Sequence, residues 1–139
     1  MAITPRQVQL IKQSFAQVEP IADQAAEIFY NYLFQFAPEV RPMFKGDMKS
    51  QGRKLMSTLK VAVKSLDNLE ALLPVLQKLA RDHVAYGVKA AHYTPVGNAL
   101  LYALRDGLGP QFTREVRQAW VEVYRVIAKV MKEAAYGHH

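Results

Sequence analysis

The 139-residue chain has no cysteine, which excludes a disulfide framework and any thiolate ligand or nucleophile. It has no apolar run near the roughly 20 residues that a bilayer-spanning helix needs, so no membrane span is expected. Its first residues, Met-Ala-Ile-Thr-Pro-Arg, lack the charged, apolar and cleavage regions of a secretory leader, and a cytoplasmic location is expected. Strict alternation of apolar and polar residues, the mark of a half-buried strand, is missing too. There is no low-complexity tract and no Gly-rich dinucleotide fingerprint, so neither a disordered tail nor a flavin or nicotinamide domain is expected within it.

What is there is a helical pattern. Half of the residues are apolar, and one domain of this size buries roughly two-thirds of its unfolded surface. Thr4 followed by Pro5 marks a helix start, with Val8, Ile11, Phe15 and Val18 as its apolar stripe and Pro20 as its end. A second helix is expected from about Ile21 to Phe36, apolar or aromatic on most sides and therefore covered on several faces. Pro38, Pro42 and Gly46 then break the chain into a corner around Phe44. A third helix should cover about Lys49 to Leu66, followed by a short helical stretch near Asn68 to Leu73. Pro74 suits the first turn of a further helix, which should end at Gly87 in a left-handed cap. Two long helices, about Ala91 to Leu108 and Phe112 to Ala135, are parted by Gly109-Pro110. The expectation is an all-α domain of seven or eight helices over residues 1–137. His138 and His139 read as the remnant of an expression tag.

Three polar side chains stand out against this apolar background. Leu72, Leu76, Leu79, Ala80 and His83 recur at three- and four-residue steps, which puts an imidazole on a buried stripe. Such a histidine is either a satisfied core residue or a metal ligand. Gln51 lies one turn before Leu55 and two before Leu59. An unpaired amide there would cost roughly 1–3 kcal/mol, so it needs a partner or a helix-end position. Tyr30, on the crowded second helix, carries a hydroxyl that seeks a partner if buried. Polar groups aimed into one apolar space suggest a ligand between them.

Charge is uneven as well. Lysine and arginine number 18 against 12 acids, for a net +6 at pH 7. Between Lys45 and Lys64 there are six basic residues and one acid, Asp47, and Lys49, Arg53, Lys60 and Lys64 fall near one stripe of a helix. This is a solvated face or a docking surface for an acidic redox partner. No aromatic residues interleave with these cations, so a nucleic-acid partner is not expected.

The stretch QKLARDHVAYGVKAAHYTPVGNALLYALRDGLGP from Gln77, followed by Ala119-Trp120, resembles the proximal half of a globin. IFYNYLF at Ile28 to Phe34, PEVRPMF ending at Phe44, and QGRKLM from Gln51 to Met56 resemble the distal half. The likeness covers residues 5 to 133 and is strongest to neuroglobins and to single-domain bacterial globins related to flavohemoglobins. It implies a globin fold packed around heme b (iron protoporphyrin IX), with His83 as the proximal iron ligand. It further implies that Phe44 packs on the heme face, that Leu55 forms the distal wall, and that Tyr30 and Gln51 face the bound gas. Lys54 would pair with a propionate. Val88, Tyr93 and Val96 match heme-lining positions, though they also suit an ordinary core.

Two departures shape the functional expectation. Gln51 stands where neuroglobin has its distal histidine, which implies five-coordinate ferrous iron with an open site. Flavohemoglobins support the proximal histidine with a tyrosine, matched by Tyr93, and a last-helix glutamate, whose place falls on Ala135. Glu133 lies two residues earlier, about 200° away around a helix. The resemblance therefore implies a globin that binds dioxygen, and also nitric oxide and carbon monoxide, reversibly and tightly. The alternatives are a nitric oxide dioxygenase served by a separate, acidic reductase, and a redox or gas-sensing globin.

Overall fold

Some of the helices start at side-chain caps that the sequence supplies. The Thr4 hydroxyl accepts the Gln7 amide at 3.1 Å while the Gln7 side chain accepts the Thr4 amide at 3.0 Å, with Pro5 opening α1 (Pro5–Val18). α2 (Ala22–Phe36) follows through a short 3-10 turn at Glu19–Ile21. The Asp47 carboxylate accepts the amides of Lys49 and Ser50 and starts α3 (Met48–Lys64). α4 (Leu69–Ala85), α5 (Tyr93–Leu108) and α6 (Arg114–Tyr136) complete the order, and no strand occurs among the described residues. The computed structural model describes residues 3–44, 46–85 and 87–136; the proposed tag residues lie outside these.

The all-α class holds, but the expected seven or eight helices are corrected to six among the described residues. Asn68 to Leu73 and the segment after Pro74 are one helix, α4, with the proline inside it. An interior proline costs about 3 kcal/mol. Leu72, Leu76 and Ala80, on both sides of it, are 2%, 4% and 0% exposed, and each leucine buried contributes roughly 1.5–3 kcal/mol. One continuous buried stripe outweighs one proline. The corner between α2 and α3, with two prolines, takes a 3-10 turn at Pro38–Met43 rather than an α-helix.

α2 packs mainly on α5 and α3, and α6 mainly on α4 and α1. At the crossing of α2 and α3, a Cβ on Gly52 would lie 3.0 Å from the Ala26 Cβ, so glycine permits the close approach. The main core joins α1, α2, α5 and the first half of α6 around Ile11, Leu33 and Trp120. Trp120 donates its indole N–H to the Ser14 hydroxyl at 2.8 Å, and that hydroxyl donates to the Leu10 carbonyl at 2.7 Å. A smaller core joins α4 to the start of α5 and the end of α6 through Leu72, Leu76, Ala80, Tyr93, Ala128 and Met131. α3 and α4 hardly touch each other. Among the described residues, no helix is long and apolar enough to cross a membrane.

Candidate functional site

One wall of the candidate site is built by α2, the following corner and α3. Tyr30 is 8% exposed, edge-on to Phe29 at 5.0 Å and to Phe44 at 5.2 Å, and stacked on Phe34 at 5.9 Å. Its hydroxyl donates to the backbone carbonyl of Gln51 at 3.3 Å. Burial pushes its pKa up to about 12, because the phenolate loses water. The hydroxyl is therefore a proton donor throughout the neutral range. Gln51 is the fourth residue of α3, its amide held by the Asp47 carbonyl at 3.1 Å, so it is both a first-turn residue and half-buried. Phe44 and Leu55 are half-buried, and Lys54 is exposed.

The other wall of the candidate site is α4 and the turn after it. His83 is half-buried, and its Nδ1 lies 2.6 Å from the Leu79 carbonyl oxygen. A carbonyl only accepts, so Nδ1 carries the proton and Nε2 keeps the lone pair. The helix then ends in a Schellman arrangement: the Gly87 amide donates to the Val84 carbonyl and the Val88 amide to the His83 carbonyl, both at 3.0 Å. Gly87 takes φ 93°, as expected of its cap role. The Tyr136 hydroxyl at the end of α6 donates to the Val88 carbonyl.

Tyr93 is 7% exposed, yet its buried hydroxyl has no hydrogen-bond partner among the described residues. Glu133 is exposed and Ala135 has no carboxylate, so α6 offers nothing acidic in the glutamate's place. Burial pushes the Tyr93 pKa up to about 12, with nearby Tyr136 adding to the rise. Val88 and Val96 are half-buried. Behind Leu55 and Val96 lies a cavity of about 100 Å³, closed by Phe29, Leu59, Leu100 and Trp120 and without polar surface.

These features fit a flat apolar macrocycle with one nitrogen ligand. The two helices that carry Gln51 and His83 make few contacts with each other, the imidazole keeps its Nε2 lone pair, and the buried Tyr93 hydroxyl lacks a partner among the described residues. The structure brings Tyr30, Gln51 and Phe44 together, and groups Tyr93 and Val88 with α4. It separates Lys54, on the surface, from the rest. Sequence reasoning missed Tyr136, whose only signal was a terminal aromatic on the last helix. It also missed the cavity, because the residues around it read as plain core.

A family model described as Globin matches residues 27–131. The chain belongs to the globin family. Among solved structures it is similar to a bacterial globin from Campylobacter jejuni, with a TM-score of 0.84 and 32% identity over 96% of this chain and 97% of that one. It is also similar to an engineered carbene transferase built on a Rhodothermus marinus protein assigned as a nitric oxide dioxygenase, with a TM-score of 0.87 and 28% identity, covering 98% and 95% of the two chains. A flavohemoprotein of Halalkalibacterium halodurans is 33% identical over 125 residues, which are 88% of this chain and 30% of that protein. One from Vibrio cholerae is 28% identical over 92% of this chain and 33% of its own length. This globin thus spans about a third of the curated relatives it matches. It is a globin related to the globin part of flavohemoproteins, and its cofactor is heme b.

Proposed function

We propose that this globin captures dioxygen and uses it to convert nitric oxide to nitrate, with electrons supplied by a reductase unit outside these 139 residues. Dioxygen, nitric oxide and one electron balance to one nitrate ion. The carrying observation is the likeness, across 98% of the chain, to the R. marinus protein assigned to that activity. Tight, reversible dioxygen binding, the main expectation from the sequence, becomes the first half of this cycle.

When bound, heme b supplies a ferrous iron that takes a diatomic gas and exchanges electrons. The side chains do the rest. His83, its Nδ1 proton on the Leu79 carbonyl, presents Nε2 as the iron ligand. The Tyr30 hydroxyl, already beside Gln51, would turn its proton toward the gas, and the Gln51 side-chain amide would be a second donor. Each such bond contributes about 1–3 kcal/mol in a dry pocket, and every 1.4 kcal/mol slows release about tenfold. Phe44 and Leu55 exclude water from that space. Val88, Tyr93 and Val96 would line the cofactor, and Lys54 would pair with a propionate at the rim.

The test is nitrate formed per heme while nitric oxide is added repeatedly in the presence of NADH and a reductase. Many nitrates per heme support the proposal. One per heme, followed by arrest, returns the protein to oxygen binding alone, since a single stoichiometric reaction needs no cycle.

A further inference from the structure

We propose that the outward face of α3 is the docking site of an acidic electron-donating protein. The inference rests on the reading above only in its demand for electrons. α3 carries Lys49, Arg53, Lys54, Lys60 and Lys64 and no carboxylate within its length. At about 100° per residue, Lys49, Lys60, Arg53 and Lys64 fall within an arc of about 60°, and all four are exposed. The stripe runs about 22 Å at 1.5 Å per residue, a length suited to an interface of roughly 800 Å² on each partner.

Folding leaves this charge largely uncompensated. Lys60 pairs with Glu19 at 3.4 Å, whereas Lys49, Arg53 and Lys64 make no ion pair among the described residues. Elsewhere Arg6 is matched by Glu115, Lys12 by Asp67, Lys78 by Asp82 and Arg125 by Glu122, while the exposed Arg114, Arg117 and Lys129 of α6 also make no ion pair among the described residues but share their helix with Glu115, Glu122 and Glu133. Val61, 46% exposed, flanks the stripe and gives an apolar contact within a charged rim. The exposed aromatics Phe36 and Tyr102 pack on each other at 5.6 Å on α2 and α5, away from these cations, so base stacking is not on offer there. The opposite side of the same helix carries Gln51 and Leu55 toward the heme crevice. A partner seated on α3 would thus lie about one helix diameter, about 10 Å, from a cofactor held on the Gln51 side of that helix.

Charge complementarity of this kind raises association from about 10⁵–10⁶ toward 10⁸–10⁹ M⁻¹s⁻¹ at low salt. The probe is a reduced acidic flavodoxin, mixed with the ferric holoprotein under carbon monoxide in a stopped-flow instrument. The bimolecular rate should fall at least about tenfold between about 20 and about 300 mM salt. Lys49→Glu with Arg53→Glu and Lys64→Glu should slow it at least about tenfold at low salt, while reduction by dithionite stays unchanged. The control reverses three exposed cations of α6, Arg114→Glu, Arg117→Glu and Lys129→Glu, for the same change of net charge. Equal slowing by both triples would mean steering by net charge and would overturn the site. Should the α3 triple not fold, wild-type protein labelled with ¹⁵N and titrated with oxidised flavodoxin gives the answer: shifts confined to α3 support the site, and shifts elsewhere or none refute it. Because nitric oxide is absent throughout, failure here leaves the dioxygenase reading standing, and the reverse is equally true.

Discussion

On the α2–α3 side of the crevice, Tyr30 is fixed by three aromatic rings and a glycine crossing, within the larger core. On the α4 side, His83 is fixed by hydrogen bonds to backbone: its own to the Leu79 carbonyl, the Val88 amide to its carbonyl, and Tyr136 to the Val88 carbonyl. The core beneath α4 is the smaller one. The distal wall is thus positioned by packing, which is non-directional and depends on shape. The proximal wall is positioned by directional bonds, which set the tautomer and ring angle of a ligand. A gas-binding site has use for both: an unyielding apolar chamber on one side, and an oriented nitrogen on the other.

Breaking the proximal side at its centre should have the largest effect. His83→Ala removes the proposed ligand and should weaken heme retention by more than about tenfold, at least about 1.4 kcal/mol, read from heme transfer to an apoprotein acceptor. A variant that keeps the wild-type visible spectrum would place the ligand elsewhere. On the distal side, Tyr30→Phe should speed oxygen release by about 5- to 150-fold, matching 1–3 kcal/mol, measured by displacement with carbon monoxide. Heme retention should barely change; if it falls as far as oxygen affinity, the division between the two walls fails.

Gly97→Ala tests the seam between the halves, since its Cβ would lie 2.6 Å from the Tyr124 ring. That ring carries the hydroxyl donated to the Tyr93 carbonyl at 2.7 Å, so displacement reaches the proximal side. The expected loss is about 1–3 kcal/mol in chemical denaturation. Tyr136→Phe should cost about 1 kcal/mol and quicken heme loss while leaving oxygen release unaltered. An equal effect on both rates would make it a general stabiliser.

The smallest effect is at alkaline pH. Tyr30 and Tyr93 have folded pKa values raised to about 12 from 10.0, and the Tyr124 value is raised as well by burial. Unfolded tyrosine loses its proton first, so above pH 10 the folded state binds more protons and stability falls with rising pH. Their contribution is whole below about pH 10 and fades toward about pH 12. Tyr30→Phe should flatten part of that decline in melts from pH 9 to 11; an unchanged slope would mean that its hydroxyl is not desolvated in the fold.

Much of the candidate site's local setting was legible because its cues are local. His83 announced itself by spacing from Leu72, Leu76 and Leu79, and Gly87 by the need for a left-handed cap. Gln51 and Tyr30 were visible as polar groups among apolar neighbours. Pro74 misled the helix count because a proline's cost is local, whereas the burial that overrides it is shared across α4, α5 and α6. The Tyr136 contact with Val88 joins residues 48 positions apart, and no periodicity announces such a bond.

The sequence by itself determined where some helices start, which of their faces are apolar, that the cations concentrate on one helix, and which imidazole lies on an apolar stripe. Those properties follow from caps and from a period of 3.6 residues, both readable within a few turns. Only the tertiary structure decided that α4 is unbroken and that Tyr30 reaches the Gln51 carbonyl. It alone decided that, among the described residues, the buried Tyr93 hydroxyl has no partner and most of the α3 cations find no carboxylate. Each of these depends on what a distant segment brings alongside, and that is set by the packing of whole helices.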